Sequence, residues 1–162
     1  MPFQRKSSGN PITEHDLALL ARLLAASFAG EGFYLQASKA VSDSSVVQRF
    51  RQMAGIQRSI IDLILKNLTD LRPVASDSHD FNVFYDKVRE QLNNRLQQGM
   101  LAELARVEEH LLTLHKQVLR TLNHRQLALQ LSEHTAWMQI LLDRLKHHHQ
   151  GKYLTRTNQD LY

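Results

Sequence analysis

The sequence contains no cysteine among its 162 residues. This absence excludes disulfide bonds, thiolate zinc sites and cysteine nucleophiles, and nothing in the chain requires an oxidising compartment. Apolar runs are short, and none approaches the roughly 20 residues that span a bilayer. The basic first ten residues are not followed by an apolar segment, so we expect no signal peptide. These features predict a cytoplasmic protein with no membrane association.

Glycine and proline are scarce as well, with six and three residues respectively. No segment alternates apolar and polar residues long enough to predict a sheet, whereas spacings of three and four recur along the chain. With 43% apolar and 22% charged residues, the composition is typical of one helix-rich globular domain with a proper core.

The chain also lacks any block of charge of one sign. Lys and Arg number 20 against 16 Asp and Glu, for a formal net charge of +4, and the two signs are interspersed. A solvated surface explains this pattern better than a nucleic-acid interface does, so we expect no nucleic-acid partner.

Capping and turn residues divide the chain into helices. Thr13 and the cluster Ser42–Ser45 are typical N-terminal signals, and Arg72-Pro73 ends the second helix. Whether residues 79–97 form a separate helix or extend the third is left open, with a possible break near Gly99. The predicted helices span residues 13–41, 45–71, 79–122 and 125–148. We expect a disordered arm over 1–12, a bundle over 13–149 and a polar tail over 150–162, with Gly151 ending the last helix.

An internal repeat supports a four-helix bundle made from a duplicated helical hairpin. A shift of 77 residues places Glu31 on Glu108 and Lys39 on Lys116, along with many apolar positions. Two hairpins joined by one longer connection describe an antiparallel four-helix bundle.

Polar residues interrupt the apolar seams of this predicted bundle. The stripe from Leu101 to Leu122 includes Glu108 and His115, and the repeat aligns Gln57 with His134. The repeat therefore predicts that Glu31, Gln57, Glu108 and His134 meet near mid-length. In an alternative interpretation, both carboxylates lie at a bundle edge and reach water. Gly30 and Gly32 beside Glu31 predict a close helix approach, and Tyr34 and Trp137 are predicted core aromatics.

The polar centre and the surrounding motifs resemble the ferritin-like di-iron carboxylate proteins. The segments FAGEGFYLQASKAV, DSSVVQRFRQMA and LAELARVEEHLLTLHKQVL are similar to a small bacterial branch of that superfamily. The resemblance covers roughly residues 14–146. It implies a four-helix bundle in which two helices each give a Glu and two each give a Glu-x-x-His motif to a pair of iron ions.

The chain departs from that ligand set at both Glu-x-x-His positions. It has Gln57-x-x-Ile60 and His134-x-x-Trp137 there, so most of the ligands are missing. We therefore expect a ferritin-like bundle that has no cofactor, is not an enzyme, and acts in assembly or protein interaction. The alternative is an iron or manganese protein for stress or iron handling. It would bind the metal through Glu31, Glu108 and His134, with Tyr34, Gln57 and His115 around them.

Other histidine-based functions fit less well. In a histidine phosphotransfer bundle His110 or His115 would accept the phosphoryl group, but the small Gly-containing turn of such domains is missing. A haemerythrin-like site needs several His on the second helix, which has none. His147, His148 and His149 point in different directions on a helix, which is typical of a weak, adventitious metal site.

The segment 80–96 carries more apolar residues than the duplicated bundle needs. A stripe of this kind must pack on the bundle or meet a second copy. We expect a homodimer with this segment at least partly in the interface, through Phe81, Phe84, Tyr85 and Val88.

Overall fold

The computed structural model describes residues 12–68, 78–93 and 97–159, with side chains described for 12–68, 81–93 and 99–147. Across these residues the protein is all-α, which confirms the predicted fold class. The described part of the chain forms five helices: α1 (Glu14–Ala40), α2 (Ser44–Asn67), α3 (Ser78–Asn93), α4 (Gln97–Thr121) and α5 (Arg125–Gln159). The predicted arm over 1–11, the loop over 74–77 and the final residues 160–162 lie outside the described residues.

The beginnings of α1 and α2 follow directly from local sequence. The Thr13 hydroxyl oxygen accepts a hydrogen bond from the Asp16 backbone N–H at 3.2 Å. The Asp43 carboxylate accepts hydrogen bonds from the backbone N–H groups of Ser45 and Val46 at 3.0 and 3.4 Å. Both caps satisfy backbone donors that have no partner within the helix, so the predicted N-terminal signals are confirmed.

The five helices form two hairpins with α3 beside them. α1 and α2 are joined by residues 41–43, and α4 and α5 by residues 122–124, so each pair packs antiparallel. α2 packs on α5, and α1 touches α4, while α3 lies against both α1 and α4. The open question about residues 79–97 is thereby answered, because α3 is a separate helix. α5 continues through Gly151 to Gln159, which differs from the predicted end. One Gly costs a helix only about 1 kcal/mol against Ala.

The core has an aliphatic end and an aromatic end. The aliphatic end combines the first half of α1 with the second half of α2 and the α4–α5 turn region, and includes Leu24, Ile61 and Leu127. The aromatic end contains the second half of α1, the first half of α2, and α3. The apolar stripe of α3 is thus part of the core.

Helix α1 supplies more of this core than its sequence pattern indicated. Among the described helices, it alone is long and apolar enough to cross a membrane by length and composition, although no such run was expected. More than half of the apolar stretch is buried inside the protein, as in a core helix.

The two hairpins correspond with a different shift from the one the sequence predicts. α1 ends at Ala40 and α4 at Thr121, 81 residues later; α2 begins at Ser44 and α5 at Arg125, again 81 residues later. This shift also places buried residues on buried residues: Leu20 on Leu101, Leu23 on Leu104, Ala37 on Val118, Val46 on Leu127, Ile61 on Leu142 and Ile64 on Leu145. The predicted shift of 77 is therefore wrong by about one helical turn, and Glu108 corresponds to Ser27 rather than to Glu31.

Candidate functional site

The strongest candidate site is a buried carboxyl group held by two tyrosines. Glu108 on α4 is only 1% exposed. Its Oε1 accepts a hydrogen bond from the Tyr34 hydroxyl on α1 at 2.7 Å and another from the Tyr85 hydroxyl on α3 at 2.6 Å. One carboxyl oxygen thus connects three helices.

The second oxygen of the same carboxyl group is buried without a partner. Within the described residues, Glu108 Oε2 makes no hydrogen bond, and neither does the buried Gln57 Oε1 on α2. Gln57 and the Tyr85 hydroxyl crowd over Gly30, where an added Cβ would lie 3.1 Å from each of them. Gly30 therefore permits the close approach that the sequence predicts, whereas nothing lies within 4 Å of a Cβ at Gly32.

Burial controls the protonation of this cluster. It raises the pKa of Glu108, while the hydrogen bonds from Tyr85 and Tyr34 act in the opposite direction. Burial and the nearby Glu108 carboxylate also raise the pKa of Tyr34 and of Tyr85 well above their usual value. Both phenols therefore remain hydrogen-bond donors, and the carboxyl group takes up its proton more readily than an exposed glutamate does.

Aromatic rings enclose the carboxyl group. The Phe33 ring stacks on Tyr85 with centroids 4.8 Å apart, and Phe50 lies 5.6 Å from the Tyr34 ring. The Arg89 guanidinium covers the Phe33 ring at 5.6 Å. Ring packing of this kind stabilises the core and limits the access of water to Glu108.

Glu31 lies elsewhere, at the edge between α1 and α2. Its two carboxylate oxygens accept hydrogen bonds from Arg58 Nε at 2.6 Å and Nη2 at 2.5 Å. This bidentate pair is partly exposed, with Arg58 about half exposed. Since a rotation about the helix axis separates Glu31 from the stripe of Tyr34, the expectation that Glu31 faces Glu108 is not met. The edge alternative describes Glu31, and the core interpretation describes Glu108.

His134 and Gln57 are also on different surfaces. Gln57 is buried, whereas His134 is partly exposed and its Nδ1 lies 2.9 Å from the Gln130 carbonyl oxygen within α5. Among the described residues, no three His, Asp or Glu side chains come together as a group that could hold a metal ion. The structure therefore does not bring Glu31, Glu108 and His134 together.

The two candidate phosphoacceptor histidines differ in exposure. His115 is buried, its Nδ1 has no hydrogen-bond partner in the described residues, and burial lowers its pKa to about 4. His110 is exposed, with its ring 5.2 Å from that of Phe84. His115 is thus a neutral core residue that solvent does not reach.

The residues predicted at an interface are mostly inside the protein. Phe81, Tyr85 and Val88 are buried against the protein's own helices, whereas Phe84 is 39% exposed. Trp137 differs from its predicted place in the core, because it is 53% exposed on α5. The register explains this difference, since the buried counterpart of Ile60 in the second hairpin is Leu141 and not Trp137.

Sequence reasoning missed Asp16, which is fully buried near the start of α1. Its carboxylate accepts hydrogen bonds from the backbone N–H groups of Asn123 and His124 at 2.9 and 3.0 Å, in the α4–α5 turn. His124 in turn caps α5 by accepting from the Leu127 N–H at 3.1 Å. Asp16 reads as an ordinary first-turn acid, and no local pattern signals a partner more than 100 residues away. The role of Tyr85 had a signal, namely a phenol in an apolar stripe.

Comparisons with known proteins give no relative for this arrangement: no family model, curated protein or solved structure matches the chain.

Proposed function

We propose that the protein is a non-catalytic, ferritin-like helical bundle that acts by contacting another protein. In this proposal α1, α2, α4 and α5 are the four helices of the bundle, and α3 is an addition that supplies Tyr85. The observation that carries the proposal is the state of Glu108: its accessible hydrogen-bonding capacity is directed at Tyr34 and Tyr85, and aromatic rings enclose it. Such a group stabilises a structure and has no approach for a substrate.

An exposed apolar surface on α5 supports the second half of the proposal. We call it the α5 face: Leu129, Trp137 and Ile140, which are 66%, 53% and 41% exposed. Single exposed apolar residues are ordinary, but these three follow one side of one helix, and Trp137 is the only tryptophan in the chain. Tryptophan is enriched among the residues that contribute most to protein–protein binding.

The alternative function in iron or manganese chemistry lacks comparable support. It requires Glu31, Glu108 and His134 at one ion. Glu31 is paired with Arg58, Glu108 with two tyrosines, and His134 with a carbonyl oxygen of its own helix. Each prospective ligand therefore has a competing partner in a different part of the structure.

Site-specific photo-crosslinking in cells tests the proposed function. A benzophenone amino acid replaces Trp137 in one variant and Gln52, exposed on α2, in a matched control. We expect protein adducts from position 137 after irradiation and none above background from position 52. Equal adduct formation at both positions, or none at either, would contradict a role in protein interaction through α5.

A further inference from the structure

The charged residues that flank the α5 face form a regular stripe with it. Leu129, Glu133, Trp137, Ile140 and Arg144 follow one another at spacings of four, four, three and four, so they share one side of the helix. All five side chains are exposed. Within the described residues, neither Glu133 nor Arg144 has an ion-pair or hydrogen-bond partner, unlike Glu31, Glu103 and Glu109. The stripe thus offers one free carboxylate and one free guanidinium on either side of an apolar centre.

We infer that the α5 face binds a second copy of this chain, through an antiparallel α5–α5 contact around a twofold axis. The inference rests on the proposed function and identifies its partner. With the axis between Met138 and Gln139, Trp137 lies opposite the partner's Ile140, and Glu133 lies opposite the partner's Arg144. Symmetry repeats both pairs, which gives two aromatic–aliphatic contacts at the centre and an ion pair at each side.

Self-complementary charge identifies the occupant. The sequence separation from Glu133 to Trp137 equals that from Ile140 to Arg144, so one antiparallel register satisfies the apolar and the charged positions together. A parallel pair would instead bring like charges close together. Near Leu129 the stripe meets an open pocket of about 380 Å³ between Leu119, Arg125 and Ser132, which leaves room for the partner's helix.

The α3 surface is a weaker candidate for the same contact. Its exposed residues Val83 and Phe84 are adjacent, and the Phe84 ring already lies 6.2 Å from Phe81 and 5.2 Å from His110. Phe84→Ala therefore serves as the matched control for the α5 face.

Charge-swapped variants test the inference by light scattering and sedimentation over a concentration series. The wild type should form a reversible dimer. Glu133→Arg and Arg144→Glu should each weaken the dimer at least about tenfold, because each places like charges opposite one another twice. An equimolar mixture of the two variants should form a heterodimer, since one chain then presents two positive charges and the other two negative charges. The variant carrying both changes should self-associate like the wild type, and Phe84→Ala should not alter association. Circular dichroism verifies that each variant is folded.

Three results would overturn the inference: a wild type that remains monomeric up to ~100 µM, single variants that dimerise like the wild type, or a dimer lost in Phe84→Ala. The crosslinking experiment separates this failure from failure of the proposed function. Adducts of position 137 at twice the chain mass support both proposals. Adducts with a different protein, together with a monomeric purified chain, leave the proposed function standing and exclude the second copy.

Discussion

At the scale of single residues, two buried ionisable groups on α4 oppose each other across pH. Burial raises the pKa of Glu108 above its usual 4.5, so the folded state holds that proton more tightly than the unfolded state does. The stability from this group is complete below pH 4.5 and is lost as pH rises through the folded pKa. Burial lowers the pKa of His115 from 6.5 to about 4, so its contribution is complete above pH 6.5 and is lost as pH falls.

Substitutions at these two positions should therefore change the pH dependence of stability in opposite directions. Glu108→Gln should gain stability over the wild type as pH rises from 4 to 8, by about 1–3 kcal/mol, the usual cost of a buried group without its partners. His115→Phe should avoid a loss of about 3 kcal/mol that the wild type suffers between pH 6.5 and 4, since each pKa unit corresponds to about 1.4 kcal/mol.

Urea unfolding at several pH values measures both effects. Glu109→Gln, at the exposed neighbour of Glu108, is the matched control, because its surface ion pair with Lys146 contributes little. Parallel stability–pH curves for the wild type and Glu108→Gln would show that the carboxyl group is not buried as described. A steep acid-side loss retained in His115→Phe would assign that loss to other groups.

At the scale of helices, Asp16 connects the start of α1 to the turn that begins α5. Asp16→Ala removes an acceptor from two backbone N–H groups, those of Asn123 and His124. We expect a loss of about 2–4 kcal/mol in the free energy of unfolding, since a hydrogen bond to a charged group contributes about 1.5–3 kcal/mol and the bonds share one carboxylate. Glu14→Ala, at an exposed acid in the same helical turn, is the control. Hydrogen exchange should show faster exchange at residues 123 and 124 in Asp16→Ala alone; uniform loss along the chain would argue against a local connection.

The same scale shows which features of the helices a sequence can predict. Caps at Thr13 and Asp43 depend on neighbours within three residues, so the helix starts were predictable. Rotation of a helix about its axis depends on contacts with distant segments, so the placement of Trp137 on the surface and of Tyr85 in the core was not. The break between α3 and α4 falls where the sequence offered only Gly99 as a signal.

At the scale of the whole molecule, the helical composition predicted the fold class, and the register of the repeat misplaced the polar centre. Shifts of 77 and 81 differ by four residues, which rotates a helix by only about 40°, so apolar patterning fits both. The position of the hairpin turns decides between them. Under the shift of 81, Glu108 corresponds to Ser27 and Tyr34 to His115, all of which are buried. Glu108 was thus correctly predicted as a core residue, whereas its proposed partners were not.

This separation of the polar residues predicts how the whole molecule responds to metal. An ion that binds the native state at a hundred times its Kd raises stability by about 2.7 kcal/mol, or several degrees in Tm for a chain of this length. Because Glu31, Glu108 and His134 lie apart, Fe(II) or Mn(II) should shift the Tm of untagged protein by less than ~1 °C relative to chelator. Glu31→Gln combined with Glu108→Gln should respond in the same way as the wild type. A metal-dependent rise of several degrees in the wild type that disappears in the double variant would mean that the helices bring these residues together, and the non-catalytic proposal would be wrong.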